Sequence, residues 1–185
     1  MKDALSPPEP IVPSPAFLEE EAGLDGAVDA LQNLADNVLP EGPTRDALEG
    51  AWLGHPAHPL ATDLVIGFWT SAFVLDLLPV KRLRAASDVF VALGLASALP
   101  TVATGLADWS KLDRPKQRVG VVHAAANAVG AGCYTLSLAN RIRGRRARGI
   151  FFSTLGATAL TVGGYLGGHL AFPPDDDQAR LPPPG

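Results

Sequence analysis

Residues 119–139, "VGVVHAAANAVGAGCYTLSLA", and residues 150–172, "IFFSTLGATALTVGGYLGGHLAF", decide the fold of this chain. Each runs to about 20 residues, the length an α-helix needs to cross ~30 Å of hydrocarbon. Neither contains Lys, Arg, Asp or Glu. A helix of a soluble bundle keeps one polar face toward water, and these two stretches have no such face. Working outward, "ATDLVIGFWTSAFVLDLLPV" (Ala61 to Val80) is charged only at Asp63 and Asp76, and "VFVALGLASALPTVATGLA" (Val89 to Ala107) is uncharged, with one proline, Pro100. The connectors "KRLRAASD", "DWSKLDRPKQR" and "NRIRGRRARG" are short and charged. This rhythm reads as an all-α integral membrane four-helix bundle, residues 51–172, in which Pro100 kinks the second span.

The mean hydropathy of +0.16 hides a segregation of charge. Residues 1–50 carry eleven of the nineteen acids, and the formal charge of −4 belongs mostly to the tails. An acidic balance without a basic face argues against nucleic acid. The N-terminus "MKDALSPPEPIVPSP" has no apolar core and does not read as a signal peptide. Within the acidic region 1–50, Leu24, Val28, Leu31, Ala35 and Val38 recur at helical spacing, predicting an amphipathic helix over 17–39. Its negative charge disfavours adhesion to anionic lipid and favours packing on the bundle or on a partner. Residues 1–15 and the C-terminal tail 173–185 read as disordered. The single cysteine, Cys133, excludes an internal disulfide and reads as a small buried thiol.

Lys and Arg set the expected orientation in a plasma membrane. Eight of them (Lys81, Arg82, Arg84, Arg141, Arg143, Arg145, Arg146 and Arg148) flank the first and third connectors, against four (Lys111, Arg114, Lys116 and Arg118) in the second. The richer pair faces the cytoplasm, which puts both termini outside. Glycines at spacing four in the last span (Gly163 and Gly167, Gly164 and Gly168), with Ala126, Gly130 and Gly132 in the third, let helix backbones approach closely. They serve plain helix packing or clear room for a flat cofactor. A homo-oligomer is left open.

All four histidines fall at one end of such a bundle. "GHPAHP" (residues 54–59) places His55 and His58 just before the first span, each pushed toward extended geometry by the following proline. His123 starts the third span and His169 ends the fourth, beside Asp108 and the expected interfacial tryptophan, Trp109. Ionisable groups inside apolar runs usually face the bundle interior, and Asn127, one turn after His123, shares its face. His123 with Asn127 is either a polar clasp between helices or a ligand with its orienting group. His123 and His169 are the candidate axial ligands of a haem, with His58 or His55 as alternatives. Three histidines with Asp108 are the candidate ligands of a divalent metal. Asp63 and Asp76, about 20 Å apart along one helix, cannot share a site and read as capping or snorkelling acids. No nucleophile elbow, phosphate loop, HExxH or CxxC is present.

Taken together, "GHPAHPLATDLVIGFWTSAFVLDLL", "GLADW", "HAAANAV" and "GGYLGGHLAF" resemble domain-of-unknown-function family 2231, a group of small bacterial membrane proteins. The likeness covers roughly residues 50–172 and its motif positions here are His55, His58, Asp76, Asp108, His123 and His169. It implies a four-helix integral membrane domain. Some relatives are fused to a Rieske iron–sulphur domain, so the resemblance also implies a separate redox protein, such as a Rieske protein, as a candidate partner. Two functions follow as expectations: a redox-associated subunit holding haem or a metal at its histidine cluster, or a cofactor-free structural or partner-binding module. A proton path through Asp63, Asp76 and the histidines is the weaker third.

Overall fold

The computed structural model describes residues 14–172. The disorder expected for the extreme N-terminus and for the tail 173–185 concerns residues that lie outside the described ones, apart from Ser14 and Pro15. A short helix α1 (Phe17–Glu20), a 3-10 turn (Ala22–Leu24), α2 (Asp25–Val38) and α3 (Pro43–Leu48) lead into four long helices. These are α4 (His58–Leu77), α5 (Arg84–Trp109), α6 (Arg114–Ile142) and α7 (Arg146–Ala171), and all four are long and apolar enough to cross a membrane. The chain is an all-α membrane bundle.

Its helices pair as two antiparallel hairpins, α4 with α5 and α6 with α7, joined along α5 and α6 and touching more sparsely between α4 and α7. Helix ends follow local chemistry. Leu78 is extended (ψ 127°) because it precedes Pro79, so α4 stops at Leu77 and not at Val80. Asp113 caps α6 by accepting from Lys116 N at 3.1 Å, with Pro115 in the first turn. Helix α5 passes through Pro100 without interruption. Hydroxyls beside the proline bond neighbouring carbonyls, Thr101 Oγ1 to Ser97 O at 2.8 Å and Thr104 Oγ1 to Pro100 O at 3.0 Å. Such side-chain bonds help a spanning helix accommodate proline in lipid.

Between the hairpins sits a small apolar core of Val65, Trp69, Ala72, Val91 and Tyr134. The Trp69 and Tyr134 rings stack at 3.9 Å between centroids and 2° between planes, and Trp69 Nε1 donates to Val91 O at 3.3 Å. Glycine makes this possible. A Cβ on Gly94 would fall onto the Trp69 indole, and one on Gly156 would lie 2.8 Å from the Tyr134 ring. Without a hydrophobic drive between helices in lipid, such notches for large rings carry much of the association.

The basic end of the bundle holds a buried ionic cluster. Arg141, read from sequence as a connector charge, has a fully buried side chain, and that of Asp76 is 3% exposed. The two are ion-paired directly through Arg141 Nη2 and Asp76 Oδ2. Arg141 Nη1 also reaches Asp88 Oδ1 at 2.9 Å and Ser87 Oγ at 3.0 Å, while Nε donates to Ser137 Oγ at 3.0 Å and Nη2 to Ser153 Oγ at 3.3 Å. Arg146 closes the cluster on Asp76 at 2.6 Å and on Asp88 at 2.9 Å. Asp76 therefore neither caps nor snorkels. An apolar surround makes a lone carboxylate costly, and a bidentate guanidinium with extra hydroxyl partners is the arrangement that offsets it. The cluster draws on α4, α5, α6 and α7 together.

The packing account makes a paired prediction. Gly94→Ala should lower stability by about 1–3 kcal/mol through overpacking against Trp69, whereas Gly67→Ala, whose Cβ would meet nothing within 4 Å, should leave it unchanged or raised. Unfolding titrations in mixed micelles, followed by circular dichroism, compare the two. Equal stability of both variants would contradict this core.

Candidate functional site: the histidine end

The opposite end is built around the GHPAHP junction. Gly50 (φ +88°) and Gly54 (φ +74°) make the turns into it, and a side chain at Gly50 would collide with His55 O. His55 stays exposed, its Nδ1 3.0 Å from the carbonyl of Pro56. His58 differs from expectation: it is the first residue of α4 and not part of an extended collar. Its contacts hold it there. Nδ1–H donates to Thr101 O on α5 at 3.0 Å, and Thr62 Oγ1 donates to the His58 carbonyl at 2.9 Å. Gly105 leaves the space into which the ring fits, since a Cβ there would lie 2.7 Å from Cε1.

His123 is a clasp between α6 and α7. Nδ1 lies 2.8 Å from Gly163 O and must be the protonated nitrogen, because a carbonyl only accepts. Asn127 Nδ2 donates to Nε2 at 3.1 Å, so both ring nitrogens of a neutral imidazole have partners. The fourfold glycine spacing now has a concrete role. A Cβ on Gly163 would lie 2.7 Å from Asn127 Oδ1, and one on Gly167 would lie 2.9 Å from the His123 ring. Gly164 and Gly168 face the other way, with nothing within 4 Å of an added Cβ.

Of the candidate ligands, the structure brings His58 and His123 together, edge to face with centroids 6.4 Å apart. It gives His169 a different partner: Nε2 lies 2.7 Å from Glu19 Oε1 on α1. His55 bonds within its own turn. Asp108 faces Lys111 at 3.7 Å. Among the described residues, no three of the His, Cys, Asp and Glu side chains gather as a metal would require. Trp109, at the end of its span, is buried within the protein, its Nε1 donating to Gln117 O at 3.0 Å and its ring filling the space left by Gly120. Asp63 is exposed on α4, and Cys133 is half-buried.

Over this end lies the acidic N-terminal segment. The single helix expected over 17–39 is broken at Glu21, whose carboxylate accepts from Gly23 N at 3.0 Å and starts the 3-10 turn. Past the break, Asp25 receives Arg118 in a forked pair, Nε to Oδ1 at 2.8 Å and Nη2 to Oδ2 at 3.0 Å, and Arg114 Nε at 3.1 Å. Arg114 also pairs with Asp29 at 2.7 Å, and Gln117 Nε2 donates to Gln32 Oε1 at 3.1 Å. Further along, Arg45 of α3 donates to Ser110 Oγ at 2.9 Å, and Glu49 takes Lys111 at 3.2 Å. Sequence reading missed Glu19, Asp25 and Arg118. A usable signal was present: Asp25 and Asp29 are four apart, as are Arg114 and Arg118, so two helices laid side by side match charge for charge.

Geometry and composition define a four-span helical membrane protein with its polar groups gathered at the two ends of the bundle. The family model described as "Predicted membrane protein (DUF2231)" matches residues 54–174, and the chain belongs to that family. No curated protein and no solved structure gives a significant match.

The Arg118 hydrogen bond, followed by the charges of Arg118 and Arg114, holds the Asp25 carboxyl below its ordinary range. A carboxyl depressed in the folded state contributes stability that is complete above its unfolded value and fades as pH falls through the folded one. The N-terminal segment should therefore stay docked at neutral pH and become accessible below about pH 4. Limited proteolysis by an acid-active protease, or hydrogen exchange over residues 17–38, reads this. Asp25→Asn should expose the segment already at pH 7, and protection unaltered in that variant would contradict the docking.

Proposed function

We propose that this chain is a cofactor-free membrane module whose histidine end, covered by its own acidic segment, docks a partner protein. The observation that carries this reading is the engagement of the imidazoles. His123 has partners on both nitrogens, His58 donates across to α5, and His169 bonds Glu19. Ligation of a haem through Nε2 of His123 and of His169 would keep the Nδ1–H bond to Gly163 O but displace Asn127 and Glu19, so the nitrogens that would face the iron are already taken. For a divalent metal on His55, His58, His123 or His169 with Asp108, no three of these side chains gather among the described residues. The polar side chains at this end act as clasps between helices.

The docking surface is on α2. Val28 and Ala35 turn inward and are fully buried, but Leu34 and Val38, one turn apart, are 51% and 56% exposed. Phe17 and Trp52 add exposed apolar area at the same end. The acids around this patch repel anionic lipid, which favours a protein partner. A soluble redox protein such as a Rieske protein falls within that class. With the Lys- and Arg-rich connectors facing the cytoplasm, this surface and both termini lie outside the plasma membrane.

Purified protein from cells supplied with haem and metals should show no Soret band and no stoichiometric metal, and His123→Ala should lower stability without an optical change. Charge placed on the patch by Leu34→Asp with Val38→Asp should abolish in-cell cross-linking to its partner while leaving the bundle folded. A Soret band lost in His123→Ala would overturn the reading in favour of a haem subunit.

A further inference from the structure

The basic end contains a cleft whose chemistry the ionic cluster leaves over. Asp76, Leu78, Pro79, Lys81, Arg84 and Arg146 line most of it, and it has a volume of about 410 Å³. Arg146 is held in place by Asp76 and Asp88. Lys81 and Arg84 are exposed, and among the described residues neither side chain has a carboxylate partner. Counting Arg141 behind them, four cations meet two carboxylates, which leaves two positive charges at the cleft. Beside the charges lie apolar groups at the ends of two spans: Leu77, Leu78 and Val80 are exposed, and Ile150 completes the wall. A polar ligand that fits this juxtaposition carries a phosphate and is continuous with hydrocarbon.

We propose that the cleft formed by Lys81, Arg84 and Arg146 between the α4–α5 turn and the start of α7 binds the headgroup of an anionic phospholipid. The phosphate sits between Lys81 and Arg84, where a basic residue at a membrane surface attracts anionic lipid. Arg146, fixed by its two carboxylates, offers the third donor edge. The acyl chains leave along Leu78 and Ile150. The turn itself is suited to this, because Pro79 holds Leu78 extended and both residues line the cleft. Free phosphate shares the headgroup chemistry but has no use for the apolar wall. This site is at the end of the bundle opposite the histidines and does not depend on their role.

The test uses the full chain in neutral detergent with added phosphatidylglycerol or phosphatidylcholine, lipid retention being read by native mass spectrometry. Phosphatidylglycerol should be retained about tenfold or more over phosphatidylcholine, and Lys81→Gln with Arg84→Gln should remove that preference. A control pair on the same end but outside the cleft, Arg143→Gln with Arg148→Gln, should keep it. Both pairs alter exposed side chains, and circular dichroism shows that each variant remains helical. Equal retention of the two lipids, or equal loss in the cleft and control pairs, would overturn the site as a specific one. Competition by inorganic phosphate at millimolar concentration, with no difference between lipid and free ion, would overturn the assignment to lipid.

Discussion

Arg141 is the residue on which the bundle depends. A guanidinium with no solvent exposure at the end of a membrane span is tolerable only if its charge and its donors are met from within. Asp76, Asp88, Ser87, Ser137 and Ser153 meet them, and these five side chains come from four different helices. The α4–α5 hairpin brings the carboxylates, and the α6–α7 hairpin brings the arginines. Two hairpins that touch through few large apolar contacts thus acquire a fixed register. Gly149 is part of the same fit, since a Cβ there would lie 2.6 Å from Arg141 Cγ.

With register set at one end, the remaining polar groups fall into place at the other. His58 meets the carbonyl of Thr101 across α4 and α5, and His123 meets that of Gly163 across α6 and α7. Each hairpin therefore carries an imidazole clasp near its histidine end, and glycines at 105, 163 and 167 supply the clearance. The acidic N-terminal segment then neutralises the arginines that start α6. The two ends differ in kind. Among the described residues the basic end keeps cations without carboxylate partners, whereas at the histidine end ionic contacts run to Glu19 of α1, Asp25 of α2 and Glu49 just after α3.

Much of the fold was legible in the sequence, because a membrane span announces itself by length and by the absence of charge. The gathering of the histidines at one end followed from alternating topology alone. What the sequence hid was direction around each helix. Asp76 and Asp63 look alike as acids on one apolar run, yet Asp63 is exposed and Asp76 is buried, since only the latter lies opposite an arginine from another hairpin. Arg141 was hidden by its neighbours: it stands in a string of five arginines over residues 141–148, and nothing in the string distinguishes the one that turns inward. His169 and His123 fall at the same end of the bundle, but that placement does not reveal that Glu19, 150 residues away in the chain, is the partner of His169. Trp109 sits where an interfacial residue belongs and is buried because Gly120 opens a slot for it. Long-range pairing of this kind leaves no periodic signal in a single chain.

The most direct measurement is a double-mutant cycle on the central pair, with Asp76→Asn, Arg141→Gln and the double variant unfolded reversibly in mixed micelles. Each single change takes from a buried charge its direct partner, leaving Asp76 only Arg146 or Arg141 only Asp88, and should cost about 3 kcal/mol, and the double should cost clearly less than the two added together. Single changes below about 1 kcal/mol, or strictly additive ones, would mean that this ion pair does not hold the bundle together.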